Sequence, residues 1–410
     1  MTMANTEWKP HRLDELGFVG RGKSRHRPRN EASLYGGKYP FFQTGDIKAA
    51  SLHLTEYSQT YSEKGLAQSK LWQPGTLCIT IAANIAETAI LGIPGCFPDS
   101  IVGFVAEPAK ADVHFIKYFI DTLKLRMQSA SRGTTQDNLS VDKLLTFDFR
   151  IPPLQIQQRI AGILAAYDAM MENNQRRIRI LEDITRTLYR EWFVRFRFPG
   201  HERLKDTGFS LDDIPRGWEV KPLVELTSFL SRGLSPSYDD NGESVVFNQK
   251  CIRDQRLNLE PARRQGRAIP PDRRIRFGDV LINSTGVGTL GRVAQVCEEL
   301  TLCTVDSHVT IVRPSGDTDV DFFGCTLFGQ QQTFERLGIG ATGQTELSRT
   351  AIANVEVVVP PLSLQRRFGE VVRPIRAATM VLAVQIQNLR RTRDLLLPRL
   401  LSGQLNIGEA

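Results

Sequence analysis

Several things are scarce in this 410-residue chain, and each scarcity removes a class of function. No run of 18 apolar residues occurs, which argues against a membrane-spanning helix. The opening stretch, MTMANTEWKPHRLDE, has no apolar signal core, so the expected location is the cytoplasm. Only six cysteines are present, Cys78, Cys96, Cys251, Cys297, Cys303 and Cys325. None forms a CxxC pair or has a histidine at zinc-ligand spacing, so buried free thiols are expected and no metal site. Acids are slightly outnumbered: 45 Asp and Glu against 52 Lys and Arg leave a net charge of +7. That excess favours a polyanionic partner without requiring one.

Catalytic motifs are missing as well. Adenine methylation needs an (N/D)PP(Y/F) loop, and the nearest strings are Ile151-Pro-Pro-Leu154 and Val359-Pro-Pro-Leu362. Both lack the amide or acid acceptor and the stacking aromatic. There is no phosphate-binding GxxxxGK[ST] loop and no HExxH. The string Gly286-Val-Gly-Thr-Leu-Gly291 matches GxGxxG, but Arg292–Val296 after it reads as a strand, not the helix a dinucleotide site requires. A tight loop between strands is expected there.

What is present is an internal repeat. At an offset of 208, Gln136, Leu139, Pro152, Pro153, Leu154, Gln157 and Arg159 return as Gln344, Leu347, Pro360, Pro361, Leu362, Gln365 and Arg367 without a gap. Earlier matches are looser: Trp8 and Leu13 with Trp218 and Leu223, Gly75-Thr-Leu with Gly278-Asp-Val, Asp99-Ser with Asp306-Ser. Each copy is a variable body followed by a regular tail.

The tails carry the strongest periodicity. Ile160, Leu164, Tyr167, Met171, Asn174, Ile178, Leu181, Thr185, Leu188 and Trp192 follow 4-3 spacing. So do Phe368, Val372, Ile375, Thr379, Leu382, Ile386, Leu389, Arg393, Leu396 and Leu400. This predicts two long helices packed as an antiparallel coiled coil, with Asn174 and Arg393 as polar interruptions that fix register. The alternative is an amphipathic helix lying on its own body. The narrow stripe, and a length of about 50 Å for 33 residues at about 1.5 Å each, favour the coiled coil. Pro374 predicts a kink or a late helix start. The bodies read as mixed α/β, with strands in Thr76–Ile81, Val280–Asn283 and Val309–Val312, and helices in Val113–Gln128 and Phe322–Leu337. The expected class is α+β: two pseudo-repeated mixed α/β bodies separated by two long helices. The expected divisions are 1–150, 151–194, a linker at 195–217, 218–358 and 359–410.

Basic residues gather in loop-like segments of the bodies. Arg21, Lys23, Arg25, Arg27 and Arg29 fall together in the first, and Arg263, Arg264, Arg267, Arg273, Arg274 and Arg276 in the second. Loops that mix basic or amide side chains with Gly, Ser and Thr suit phosphate and base-edge contacts. The candidate DNA-binding residues are therefore Arg21, Lys23, Arg25, Arg27, Arg29, Thr44, Lys48, Arg132, Thr134, Thr135 and Gln136 in the first copy. In the second they are Arg232, Ser235, Ser237, Tyr238, Asn248, Gln249, Lys250, Ser284, Thr285, Thr342, Gln344 and Thr345. A solvated, charge-rich surface is the competing reading. Arg176, Arg177, Arg179, Arg390 and Arg391 are expected to flank the helix seam in solvent.

Over nearly its whole length the chain resembles the DNA-specificity subunits of type I restriction-modification systems. The strings that carry this are Trp218-Glu-Val-Lys-Pro-Leu223, Phe277-Gly-Asp-Val-Leu281, the two Pro-Pro-Leu-x-x-Gln segments, Leu188-Tyr-Arg-Glu-Trp-Phe193 and Leu396-Leu-Pro-Arg-Leu-Leu-Ser-Gly-Gln404. The resemblance implies two target-recognition domains, each reading half of a split double-stranded DNA site. It also implies helical spacers that dock two methyltransferase (modification) subunits, with a restriction subunit joining for cleavage. S-adenosylmethionine would sit in those partners, and this chain would hold no cofactor and no catalytic site. The competing class is a DNA methyltransferase or nuclease with its own catalytic centre. A purely structural coiled-coil scaffold is the third reading, and it leaves two large bodies without a role. Recognition domains vary freely, so the resemblance transfers no base-reading residue.

Overall fold

The computed structural model describes residues 8–131, 139–200, 214–340 and 345–405. In each copy a short entry strand pairs with the strand on which the chain leaves the body. Lys9–His11 runs antiparallel to Phe149–Ile151, and Glu219–Pro222 to Glu356–Val359. Between them lies an open sheet. In the first body its order is Gly17–Arg21, Ile101–Ala106, Leu77–Thr80, Thr88–Leu91, His53–Leu54. In the second it is Thr227–Arg232, Val309–Pro314, Val280–Asn283, Val293–Gln295. Leu77–Thr80 and Val280–Asn283 are buried at every residue, which explains the apolar runs Leu77–Ile79 and Val280–Ile282. The string at 286–291 is a loop joining two antiparallel strands, as expected, and its three glycines all take positive φ.

The helix Val113–Ser131 packs Phe115, Ile116, Ile120, Leu123 and Met127 against Leu77, Ile79 and Phe104. Its counterpart is not the single helix expected over Phe322–Leu337. It is two, Val320–Gly329 and Gln331–Arg336. Gly329 weakens the helix there, and the Gln330 amide turns back to the Leu327 carbonyl at 3.1 Å, closing the first piece with a tight turn. All six cysteines are free, with Cys297 partly buried and the rest buried.

The repeated Pro-Pro-Leu-x-x-Gln has one structural purpose in both copies. Gln157 Nε2 donates to the Pro152 carbonyl (2.9 Å), while its Oε1 accepts from the Asp112 amide (3.1 Å). Gln365 repeats this with the Pro360 carbonyl (2.9 Å) and the Asp319 amide (3.1 Å). Asp112 and Asp319 in turn accept from the first amides of the body helices. One buried glutamine thus ties the start of the long helix to the start of the body helix.

The long helices are Leu154–Tyr189 and Leu362–Leu401. The second passes through Pro374 without interruption, so the late start is excluded. Pro374 faces solvent, where water can satisfy the carbonyl that lacks its amide partner. The chain forms two compact units, one of residues 1–176 with 383–410, the other of 177–382. Within the first unit Asp168 meets Arg393, and Asn174 Nδ2 donates to Gln385 Oε1 at 3.3 Å. Partner numbers rise on one helix as they fall on the other, so the helices run antiparallel. Within the second unit Tyr189, Trp192 and Phe193 close around Phe368, with ring centroids 6.1, 5.7 and 4.9 Å away. A π-helical turn, Arg190–Val194, lets the adjacent Trp192 and Phe193 both be buried. The expected seam needs one correction. Tyr167 is only half-buried, and its neighbour Asp168 is the wholly buried residue. Part of the expected linker is not loose: Phe196 and Phe198 pack their rings on Trp218 at 5.3 and 5.6 Å. Among the described residues no helix is long and apolar enough to cross a membrane.

Candidate nucleic-acid interface

Two arginines hold the same place in the two bodies. Arg21 ends its edge strand opposite Val102, and Arg232 ends the corresponding strand opposite Thr310, the residue that matches Val102 at the offset of 208. Each is tethered to a neighbouring acidic loop. Arg21 Nε donates to the Asp99 carbonyl, and Arg29 Nη2 reaches both oxygens of the Asp99 carboxylate at 2.9 and 3.0 Å. Arg232 Nη2 donates to the Leu347 carbonyl (3.0 Å) and pairs with Glu346 (2.7 Å). The guanidinium forks are thereby held part-exposed at the ends of rigid strands, which suits bidentate recognition of phosphate or guanine.

Around Arg21 the basic loop is built, not free. The amides of Arg25 and His26 both donate to Gln68 Oε1, at 2.6 and 3.0 Å. Arg27 Nη1 donates to the carbonyls of Ser24 and His26. The loop's far side is stapled by Glu31, whose carboxyl is pulled down to about 2 by hydrogen bonds from Lys64, Ser33 and His26. Lys23 and Arg25 keep exposed side chains. Thr44 opens the short helix Thr44–Ala49, and Lys48 on it donates to Asn84 Oδ1 at 3.3 Å. Lys70 sits 3.6 Å from the Trp72 ring centroid and 4.6 Å from that of the exposed Phe18, and burial followed by the nearby Lys23 lowers its pKa. Arg132, Thr134, Thr135 and Gln136 lie outside the described residues.

The second body gathers more polar groups. Gln249 Nε2 donates to the Thr285 carbonyl (2.8 Å) and contacts its hydroxyl, and Thr285 Oγ1 lies 2.8 Å from His308 Nδ1. Thr285 also bridges to Glu346, which brings this chain of groups beside Arg232 and Thr345. Asn248 is spent on local structure, donating to the Pro261 carbonyl (3.0 Å) and capping the Lys250 amide (2.9 Å), while Lys250 stays exposed. A second group lies along 235–238. Arg263 stacks its guanidinium 3.7 Å from the Tyr238 ring centroid, Arg267 donates to the Ser235 carbonyl (3.1 Å), and the Ser237 carbonyl accepts from Gly266 (3.1 Å). One candidate is removed. Ser284 is wholly buried, its hydroxyl 2.6 Å from that of Thr310, so it has no surface to offer DNA. Thr342 and Gln344 lie outside the described residues.

Asp99, Glu346 and His308 are the site residues that sequence reasoning passed over. A signal for two of them existed: Asp99-Ser100 and Asp306-Ser307 are a matched pair of the repeat, and His308 follows directly. The two acids of that pair have parted company. Asp99 stays on the surface with Arg29, whereas Asp306 is buried, its carboxyl pushed up by burial and its Oδ1 accepting from the His308 amide at 2.9 Å.

Residues 5–183 match the model of the type I restriction modification DNA specificity domain. The chain is similar to the type I restriction enzyme MjaIX specificity subunit of Methanocaldococcus jannaschii, 22% identical over 98% of this chain and 94% of that protein. It is also similar to the HindI specificity subunit of Haemophilus influenzae, 22% identical over 68% and 74%. Its fold is shared with the crystal structure of a type I restriction-modification S subunit from M. genitalium, with TM-score 0.61, 18% identity and 98% of each chain covered. The duplicated bodies, the paired long helices and these likenesses lead to one placement: residues 5–183 match the type I restriction modification DNA specificity domain, and over nearly its whole length the chain is similar to type I restriction enzyme specificity subunits.

Proposed function

We propose that this chain reads a split, asymmetric double-stranded DNA target, one short sequence per body, and carries out no chemistry itself. The observation that supports it best is the matched pair Arg21 and Arg232. They occupy one position of a duplicated fold, yet their surroundings differ: a basic loop on Asp99 in one body, the Gln249–Thr285–His308 chain in the other. Duplicated frames with unlike side chains at one locus suit the reading of two unlike half-sites. In this reading the long helices dock two modification subunits, which hold S-adenosylmethionine and methylate adenine, and a restriction subunit joins the cytoplasmic complex. The helices also set the gap between the half-sites.

The test is to co-express the chain with its modification subunit and to map methylated adenines genome-wide. A two-part motif with an unspecified middle is expected. Purified chain alone, incubated with DNA and labelled S-adenosylmethionine, should transfer no label. Transfer by the isolated chain would overturn the reading in favour of an enzyme.

A further inference from the structure

In the first unit a carboxylate is buried where the two long helices meet the body. Asp168, with no exposed surface, accepts from the Tyr118 hydroxyl of the body helix at 2.5 Å and pairs with Arg393 of the second long helix. Two turns further on, Asn174 and Gln385 form a second polar link between the same helices. Burying such a pair seldom adds stability over apolar packing, because each ion must first be stripped of water. Its best-attested use is to fix register, since any slipped arrangement leaves the charge buried and unpaired.

The repeat shows that the fold does not demand this arrangement. At the offset of 208, Tyr118, Asp168 and the position preceding Arg393 in the other copy correspond to Thr326, Arg376 and Thr185. There the wiring differs. Arg376 turns to Asp321 of the body, Thr326 accepts a neutral hydrogen bond from Tyr189 (3.1 Å), and Thr185 returns its hydroxyl to the Leu181 carbonyl of its own helix. The long helices of the second unit meet instead through Trp192, Phe193 and Phe368, an apolar contact with weak preference for one register. An inter-helix ion pair that also grips a body helix is thus a feature of the first unit's wiring.

We infer that Tyr118, Asp168 and Arg393 are positioning residues that lock the register of the helix pair against the first body, and so sharpen the gap between half-sites that the complex accepts. The functional part of this rests on the proposed reading. The lock itself does not, and the experiment separates the two.

The full chain is used throughout. Spin labels at the exposed Met170 and Val384 report the distance between the helices. A library with the mapped half-sites at varied gaps, methylated in the presence of the modification subunit, reports the gap. Wild type should give one narrow distance and one favoured gap. Asp168→Asn, Arg393→Gln and Tyr118→Phe should each add a second distance, displaced by roughly one helical turn of 5.4 Å. Each should also cut the preference for the favoured gap by about tenfold, the size of one hydrogen bond to a charged group. Asp321→Asn breaks the comparable buried pair of the second unit without touching a link between the long helices. It should lower thermal stability and leave distance and gap unchanged. Tyr118→Phe decides the matter if Asp168→Asn does not fold. A single unchanged distance in the Tyr118 and Arg393 variants overturns the lock. A slipped distance with an unchanged gap overturns its role in specificity, as does equal broadening by Asp321→Asn. If the wild-type complex methylates no split site while the distances slip, the lock stands and the proposed function fails.

Discussion

Arg21 and Arg232 sit on rigid strand ends, Arg21 already donating to the Asp99 backbone carbonyl and Arg232 already paired with the Glu346 carboxylate, so DNA must compete with those oxygens for each guanidinium. A residue held this way can discriminate, because it leaves its present acceptor only for a partner of equal geometry. Arg232→Ala should weaken binding of the cognate site by ~1–3 kcal/mol if it reads a base edge. If it touches only phosphate, the loss should be uniform across sequences and the salt slope should fall by about one. Titrations at several salt concentrations on cognate and scrambled duplexes tell these apart. Ser284→Ala, by contrast, should leave DNA affinity untouched and lower unfolding stability by roughly 1 kcal/mol, since its hydroxyl serves Thr310 inside the body. A pH effect belongs to His114, in the first unit near His53, Asp112 and Asp168. Burial, the larger cause, lowers its pKa below the ordinary value, although Asp112 opposes it. A base whose folded pKa is depressed takes up its proton more readily when unfolded, so stability is full above about pH 6.5 and falls as pH drops through the unfolded and then the folded pKa. His114→Gln should therefore flatten the decline in melting temperature between about pH 7 and 5 relative to wild type. An unchanged slope would show that His114 is not its source.

At the scale of elements, Gln157 and Gln365 make the sharpest comparison, because each performs the same task in its own copy. Replacing either with alanine leaves a buried amide and a buried carbonyl without partners. Both variants should lose roughly 2–3 kcal/mol of stability, at about 1–3 kcal/mol per orphaned group with partial relaxation. Chemical denaturation of the two variants checks this, and a large inequality would deny the equivalence. The glutamines, the long helices and the central strands were legible in the sequence for physical reasons. A 3.5-residue apolar period and a β-branched run are properties of a short window, and the repeat marks Gln157 and Gln365 by position. Asp168 was not legible. It lies one residue from the expected seam at Tyr167, a straight helix drifts against a seven-residue repeat, and its partners are supplied from Tyr118 and Arg393, far away in sequence. The site was half legible in the same way. Arginines in glycine-rich loops announce themselves, whereas the acids that aim them, Asp99 and Glu346, look like any surface acid until the fold brings them together. Ser284 misled because a serine at a strand end reads alike whether its hydroxyl faces water or Thr310.

For the whole molecule the proposed reading makes a demand on length. If the bodies read half-sites and the helices set the gap, the distance between the readings must follow the number of helical turns between the bodies. In that reading the shorter helix, Leu154–Tyr189 with 36 residues, is about 54 Å long at ~1.5 Å per residue and caps the separation at about 16 base pairs of ~3.4 Å, and readers on one face of B-DNA favour a separation near one turn, about 10 base pairs. Removing one heptad from each helix tests this. Deleting Asn174–Ile180 together with Met380–Ile386 takes out Asn174 and Gln385 as a pair. It keeps Asp168 with Arg393, Glu172 with the amides of Leu52 and His53, and Trp192 with Phe368. The bodies and their anchors are thus unaltered, and each helix is shorter by ~10 Å. The half-site sequences in the methylation map should stay the same while the favoured gap contracts by roughly three base pairs, at ~3.4 Å per pair. Such a contraction also turns one half-site by about three-tenths of a helical repeat, so affinity should fall on linear DNA, where twisting the spacer costs energy. A shortened protein that methylates the original gap with undiminished affinity would show that something other than the helices measures the distance.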